Sequence, residues 1–271
     1  MLVKGVPLAR SVRGSGRPVV FVHGSGSDRR MWQAQRDAIA RRFLHVDYDQ
    51  RYFGLSPWPD DGAGFSLRSQ VEDLAMVIRA LDAGPAHLVG LSMSADTVLA
   101  TALKYPELVL SAFLHEPSLR GFEFESSLRE QIDADFRSAI DAALGALREG
   151  RCVQAVRMFM DGVNDQPGAV DSLPAWLQQM AADNARTLPL QVAARPLAFT
   201  SDDLRSIDIP VAITCGARTR PCYRLAAEVA NGCLSHSRLI VVPSARHLWP
   251  VQDPGAFTAA LLIFLADVEA T

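Results

Sequence analysis

The stretch His87-Leu88-Val89-Gly90-Leu91-Ser92-Met93-Ser94-Ala95 sets a serine between small residues, where an apolar run gives way to a helical pattern. Gly90 and Ser94 are small enough for the tight, strained turn that lifts a serine Oγ clear of a sheet and aims the next N–H at a developing oxyanion. Ser92 is the candidate nucleophile. A second stretch, Phe21-Val22-His23-Gly24-Ser25-Gly26-Ser27, also follows an apolar run, and its glycines let the backbone pass close to a substrate. The N–H groups of Ser25 and Met93 are the expected oxyanion donors. A phosphate-cradling loop is the rival reading of these glycines, although no Gly-Lys-Ser/Thr element and no G-x-G-x-x-G pattern follows.

A serine hydroxyl needs a general base near neutral pH, and the chain has six histidines. His23 belongs to the glycine loop, His45 and His87 fall in or beside apolar runs, His115 ends one, and His236 lies in a turn. His247 stands apart, because it follows the last such run in Val242-Pro243-Ser244-Ala245-Arg246-His247-Leu248-Trp249-Pro250. Loops at the carboxyl ends of parallel strands are where open α/β sheets place reactive groups.

These residues need a scaffold, and the chain supplies one by alternation. Strands are predicted over Val19–Val22, Phe43–Tyr48, His87–Gly90, Val109–Leu114, Val211–Cys215 and Leu239–Val242, apolar enough to be buried on both faces. Between them Leu67, Val71, Leu74, Ile78 and Leu81 recur at helical spacing, as do Phe257, Leu261, Phe264 and Leu265. An α/β fold with a mostly parallel sheet flanked by helices follows. From Ser118 to Phe199 no strand is expected. There Leu128, Ile132, Phe136, Ile140, Leu144 and Leu147 form a helical stripe, opened by a capping box from Ser127 to Glu130 and closed by Gly150. Further helices are expected near Val153–Met160 and Pro174–Thr187. This predicts an inserted helical cap over 118–200, between core segments 1–117 and 201–271.

Composition narrows the classes. The 271 residues carry 27 Lys+Arg against 30 Asp+Glu, a net charge of −3, and 49% are hydrophobic, enough for a full core. Near-neutral balance without a basic block argues against nucleic-acid or anionic-membrane partners. The longest purely apolar run, Ala259–Ala266, is too short to span a bilayer, and Met1 to Arg13 shows no signal-peptide pattern, so a cytoplasmic protein is expected. Cys152, Cys215, Cys222 and Cys233 form no C-x-x-C pair and no metal-ligand spacing, so reduced structural thiols and no metal are expected.

In order, His23-Gly24-Ser25-Gly26, Asp49-Gln50-Arg51-Tyr52-Phe53-Gly54-Leu55-Ser56, Gly90-Leu91-Ser92-Met93-Ser94, and Arg246-His247 before Asp253-Pro254 resemble the α/β-hydrolase superfamily from about Val19 to the final helix. The resemblance implies the α/β-hydrolase fold and a nucleophile–histidine–acid triad. In the commonest pattern of that family the acid follows the strand that here ends at Cys215, yet Gly216-Ala217-Arg218-Thr219-Arg220-Pro221 contains no carboxylate. A minority variant carries the acid after the preceding strand, where Glu116 stands in Leu114-His115-Glu116-Pro117. Glu116 is therefore the expected partner of His247, with Asp208 and Asp253 as alternatives. Two further departures are Ser94-Ala95 where relatives often carry two glycines, and Tyr52 where many have glycine; either added side chain would narrow or polarise the site.

Substrate contacts are expected from His23 and Gly24 and from an apolar pocket containing Met158 and Trp249, with Phe159, Met160 and Trp176. The same spacing also fits plain core. Arg218, Arg220 and Arg246 fit either a carboxylate clamp or solvated loop charges. The leading expectation is a cofactor-free serine hydrolase that cleaves a carboxylic ester, lactone or amide of a small, partly apolar molecule. A carbon–carbon diketone hydrolase, a cofactor-free haloperoxidase and a hydrolase-fold receptor are the alternatives, and a homodimer stays open. Epoxide hydrolases and haloalkane dehalogenases use an aspartate where this chain has Ser92.

Overall fold

The computed structural model describes residues 2–3, 6–58 and 60–270, so Met1, Lys4 and Gly5 of the N-terminal expectation lie outside the described residues. Seven strands form one sheet: β1 (Arg10–Arg13), β2 (Pro18–Val22), β3 (Leu44–Tyr48), β4 (Ala86–Leu91), β5 (Val109–His115), β6 (Val211–Gly216) and β7 (Ser237–Val242). Their order is β7-β6-β5-β4-β2-β3-β1. All neighbours are parallel except β1, which pairs antiparallel with β3.

All six expected strands are present. β1 was not expected, because its sequence Arg-Ser-Val-Arg is polar and largely exposed; backbone pairing with β3 holds it at the sheet edge. β2, β4 and β6 are buried along their whole length, which is why they read as continuous apolar runs. Each fully buried Val, Leu or Ile there contributes about 1.5–3 kcal/mol. The chain reverses direction across the sheet between β2 and β4, so their carboxyl ends flank a crevice at a topological switch point.

Helices α1 (Gln33–Ile39), α2 (Leu67–Arg79) and α3 (Met93–Lys104) pack on the first half of the sheet. The Ser66 hydroxyl starts α2 by accepting the Ser69 N–H at 3.0 Å, and the apolar stripe of α2 faces the core. Between β5 and β6 come α4 (Ser126–Arg148), α5 (Cys152–Val163), α6 (Ala175–Asp183) and α7 (Leu188–Ala193), which make the cap. The helices α4 and α5 pack so closely that a Cβ at Gly162 would run into the Ala139 carbonyl. After α8 (Ser201–Arg205) the core resumes with α9 (Pro221–Cys233), α10 (Trp249–Gln252) and α11 (Pro254–Glu269).

Two expectations for the cap are corrected. The segment is not free of strands: Gly121–Phe122 pairs in parallel with Ala198–Phe199, tying its entry to its exit, and two-residue strands are too short to leave a periodic signal. Nor does a capping box form at Ser127–Glu130. The helix begins at Ser126, so Ser127 lies inside the first turn and its hydroxyl leans back to Glu125 Oε2 at 3.4 Å. A capping box does form at Thr200 and Asp203, opening α8.

Among the described residues no helix is long and apolar enough to cross a membrane. All four cysteines are free thiols, and burial pushes Cys215 up to about 12.

Candidate active site

Ser92 sits between the end of β4 and the start of α3 with φ 59° and ψ −125°, a strained conformation for a residue with a side chain. The turn is pinned from below by the Ser92 N–H donating to the His115 carbonyl at 3.0 Å. A Cβ at Gly90 would come within 2.9 Å of Ala95 Cα, which explains the glycine. Ser94 adds more than small size. Its buried hydroxyl accepts the Leu91 N–H at 2.9 Å and donates to the Val22 carbonyl at 2.7 Å, joining β4 to β2 beneath the elbow. That hydroxyl therefore does not polarise the site. Tyr52, the other departure, is buried and donates to Asp60 at 2.9 Å, and it does not line the cavity beside Ser92.

The glycine loop is braced by His23. The Gln50 N–H donates to His23 Nε2 at 3.1 Å, and Nδ1 lies 3.0 Å from the Gly24 carbonyl. An imidazole accepting at one nitrogen and donating at the other is neutral, and burial lowers His23 to about 4. This arrangement holds Ser25 beside Met93, with Ser25 Oγ 3.9 Å from the sulfur. Both expected oxyanion residues line the same cavity as Ser92.

Glu116 closes β5, buried and with φ 49°. The Gly216 N–H donates to its Oε1 at 2.9 Å, the Thr219 hydroxyl donates to Oε2 at 2.7 Å, and His247 Nδ1 lies 2.7 Å from Oε2. Burial alone would raise this carboxyl; the neighbouring His115, the hydrogen bond and charge of His247 and the Gly216 N–H outweigh it and bring it down to about 2. A carboxylate without a proton can only accept, so the proton of the 2.7 Å contact resides on Nδ1. In the neutral ring Nε2 is then the free base. Gly216 and Thr219 belong to the loop that lacks a carboxylate of its own, so Glu116 reaches from the neighbouring strand into the place an acid on that loop would fill.

The other two candidate acids are engaged elsewhere. Asp208 pairs with the exposed His236 at 3.0 Å, and Asp253 caps α11 by accepting the Ala256 N–H at 3.0 Å.

The loop carrying His247 is held on three sides. His115 Nδ1 meets Thr214 Oγ1 at 2.9 Å while its Nε2 reaches the Arg246 carbonyl at 3.1 Å, and burial lowers its proton affinity. From the cap, Asn164 Oδ1 accepts the Leu248 N–H at 2.8 Å. The Arg246 guanidinium donates to the carbonyls of Asp165 and Arg218 at 2.8 and 3.0 Å. Arg220 pairs with Asp135 at 2.8 Å and Asp165 at 3.1 Å. The structure thus uses Arg220 and Arg246 to fasten cap to core, and neither lines the cavity at Ser92.

Above the elbow lies a cavity of about 320 Å³. Phe136, Ile140 and Leu144 of α4, with Phe159 of α5 and Leu188 and Val192 of α7, make its apolar wall. The expected stripe of α4 is therefore in part a cavity roof rather than plain core. Tyr223, from the first turn of α9, stacks on the His247 ring with centroids 4.1 Å apart and planes at 20°. Tyr223 also lines the cavity with Ser92, so one residue stacks on the candidate base and stands in the pocket of the candidate nucleophile. Asp96, Ser118, Arg120 and Gln191 complete the polar part of the lining.

Residues 17–254 match the family model described as alpha/beta hydrolase fold. The chain belongs to the α/β-hydrolase fold family. A Mycobacterium tuberculosis protein bearing a non-heme bromoperoxidase name is 27% identical over 272 residues, covering 98% of this chain and all of that protein. The 2-(acetamidomethylene)succinate hydrolase of Mesorhizobium japonicum is 26% identical over 260 residues, covering 93% of this chain and 89% of the relative. The crystal structure of an α/β hydrolase from Sphaerobacter thermophilus superimposes with a TM-score of 0.72 at 25% identity, covering 96% of each chain.

Against this hydrolase frame, four expected substrate contacts fall elsewhere. His23, Gly24, Trp249 and Met158 are not among the residues lining the cavity. His23 is consumed by the loop brace, and Gly24 backs onto Leu91. Trp249 packs between His115 and Phe257 in the core, and Met158 packs against the same apolar cluster. Sequence reasoning missed Tyr223, Asp96 and Arg120. Position offers a signal for two of them: Arg120 lies four residues past Glu116 where the chain leaves the sheet edge, and Tyr223 opens the helix after the loop that meets Glu116.

Proposed function

We propose that this α/β hydrolase is a cofactor-free serine hydrolase that cleaves a carboxylic ester, lactone or amide of a small, partly apolar molecule. The observation that carries this reading is the buried 2.7 Å contact between Glu116 and His247 Nδ1, which leaves Nε2 free as a base; His115 joins that loop to the strained elbow, its carbonyl accepting the Ser92 N–H and its ring meeting the Arg246 carbonyl. Ser92 Oγ attacks the carbonyl carbon while His247 Nε2 takes its proton, and Glu116 steadies the imidazolium so formed. The N–H groups of Ser25 and Met93 receive the oxyanion, aided by the N-terminus of α3. Collapse expels the leaving group, protonated by His247, and leaves an acyl-Ser92. Water, activated by the same imidazole, releases the acid and restores the enzyme. The apolar roof of the cavity accommodates the hydrocarbon part of the substrate.

The test is labelling of the wild-type protein and Ser92→Ala with a fluorophosphonate, read by intact mass, beside a panel of aryl esters, lactones and vinylogous diketones. Labelling of the wild type alone, with ester or lactone turnover, supports the proposal. Turnover confined to diketones would instead assign the same residues to carbon–carbon cleavage. Equal labelling of both proteins would remove Ser92 from the nucleophile role.

A further inference from the structure

Resting on the serine-hydrolase reading, we propose that the substrate carries a carboxylate besides the bond that is cleaved, and that Arg120 binds it. Arg120 is the one cation among the described residues lining the cavity, whose wall is otherwise mainly apolar. Its compensation is incomplete. Nε is buried with no hydrogen-bond partner, and the nearest carboxylate, the partly exposed Asp133, stands 3.5 Å from an Nη. The guanidinium lies over the Phe136 ring, 3.9 Å from Cζ to centroid, which orients its plane without neutralising it. Burial works against its charge, as expected of a cation short of counter-charge.

Asp96 shares the lining but is poorly placed to satisfy the guanidinium. Its Oδ1 accepts the N–H groups of Ser118 and Leu119, each at 3.0 Å, and its Oδ2 accepts the Ser118 hydroxyl at 2.6 Å. The Asp96 carboxylate is thus spent on shaping the turn that presents Arg120. A planar, half-buried guanidinium that lines the cavity and lacks a close counter-charge matches a substrate carboxylate in both charge and geometry. The anion at Arg120 and the acyl carbon at Ser92 fix two points of the substrate, with the apolar roof accommodating the chain between them.

Two matched pairs of esters test this. Mono-(4-nitrophenyl) adipate against 4-nitrophenyl hexanoate places the carboxylate on the acyl side, and 4-carboxyphenyl hexanoate against phenyl hexanoate places it on the leaving group. The expected result is that the wild type prefers the anionic member of at least one pair in kcat/KM. In Arg120→Met that preference falls roughly 10- to 100-fold, chiefly through KM, and Arg120→Lys recovers part of it. Because each preference is a ratio measured on one preparation, with active sites counted by fluorophosphonate, partial misfolding of a variant does not imitate the effect. Turnover with no preference in either pair, or a preference untouched in Arg120→Met, would overturn the assignment to Arg120 and leave the serine hydrolase standing. No turnover of any ester together with no labelling at Ser92 would overturn both.

Discussion

At the sheet edge Glu116 takes three hydrogen bonds, His115 two, and the elbow is locked through Ser92 N–H and Ser94 Oγ, so each polar group has a partner fixed by backbone or by a neighbouring strand. Across the cavity the cap offers Phe136, Ile140, Leu144 and Phe159 and a guanidinium with an orphaned Nε. One wall is rigid because its directional bonds are satisfied; the other is apolar, non-directional and charged at one point. Proton transfer needs atoms held to within a fraction of an ångström, and the sheet edge provides that. On the proposed reading, selection among acyl chains needs shape and one charge, and it falls to the cap.

The largest break in this division comes from the sheet edge. Ser92→Ala and His247→Ala should each lower turnover by at least about 10³-fold with melting temperatures close to the parent, read by steady-state kinetics and thermal denaturation. On the cap side, Phe159→Ala should raise KM for a hexanoyl ester roughly tenfold and leave kcat within a few-fold, since it removes binding surface and no proton-transfer group. A kcat loss as large as that of Ser92→Ala would show that the cap takes part in the chemistry and would erase the contrast between the walls.

The seam between the two regions is itself testable. Asn184, buried in the cap, accepts the Gly54 N–H at 2.7 Å and donates to Asp28 Oδ2 at 2.7 Å, so it binds the cap to the loops that carry the glycine turn. Asn184→Ala orphans a buried N–H and should cost about 1–3 kcal/mol by urea denaturation. A neutral result would assign the fastening of the cap to Arg220, Arg246 and Asn164 instead.

The pH dependence of stability separates the two buried carboxyls. Glu116 is brought from 4.5 to about 2, so its contribution is complete above about 4.5 and is lost as pH falls toward 2. The stability difference between the parent and Glu116→Gln should therefore be greatest above pH 5 and shrink on acidification. Asp96 has the opposite sign: burial outweighs its donors from Ser118 and Leu119 and the charge of Arg120, raising it from 3.8 to about 6. The folded protein holds that proton more tightly than the unfolded chain, so ionisation costs stability between about pH 4 and 6. Asp96→Asn should gain on the parent as pH rises through that window, the smallest of these effects.

Most of the sheet could be read in advance because buried parallel strands have to be apolar throughout, as Val19–Val22 and Val211–Cys215 are. The elbow and His247 were legible because their chemistry demands small residues at 90 and 94 and a loop at a strand end. Glu116 emerged from an absence, the missing carboxylate after Cys215. The cavity wall was not legible, since whether Met158 or Phe159 faces Ser92 depends on how α5 crosses α4 at Gly162, a tertiary matter that helical spacing leaves undetermined. His23 misled for a related reason: a histidine in a glycine loop looks like a substrate ligand until Gln50 is found at its Nε2. β1 and the pair 121–122 with 198–199 escaped because polar or two-residue strands carry no period.

The central claim is that Glu116, reaching across from β5, activates Ser92 through His247. Its most direct test is the second-order rate of Ser92 phosphonylation by a fluorophosphonate in the wild type, Glu116→Gln and Asp253→Asn, each shown folded by circular dichroism. The account predicts a rate lower by roughly 10²- to 10⁴-fold in Glu116→Gln and nearly unchanged in Asp253→Asn, whose carboxylate only caps α11. Wild-type labelling in Glu116→Gln, or a comparable loss confined to Asp253→Asn, would contradict it.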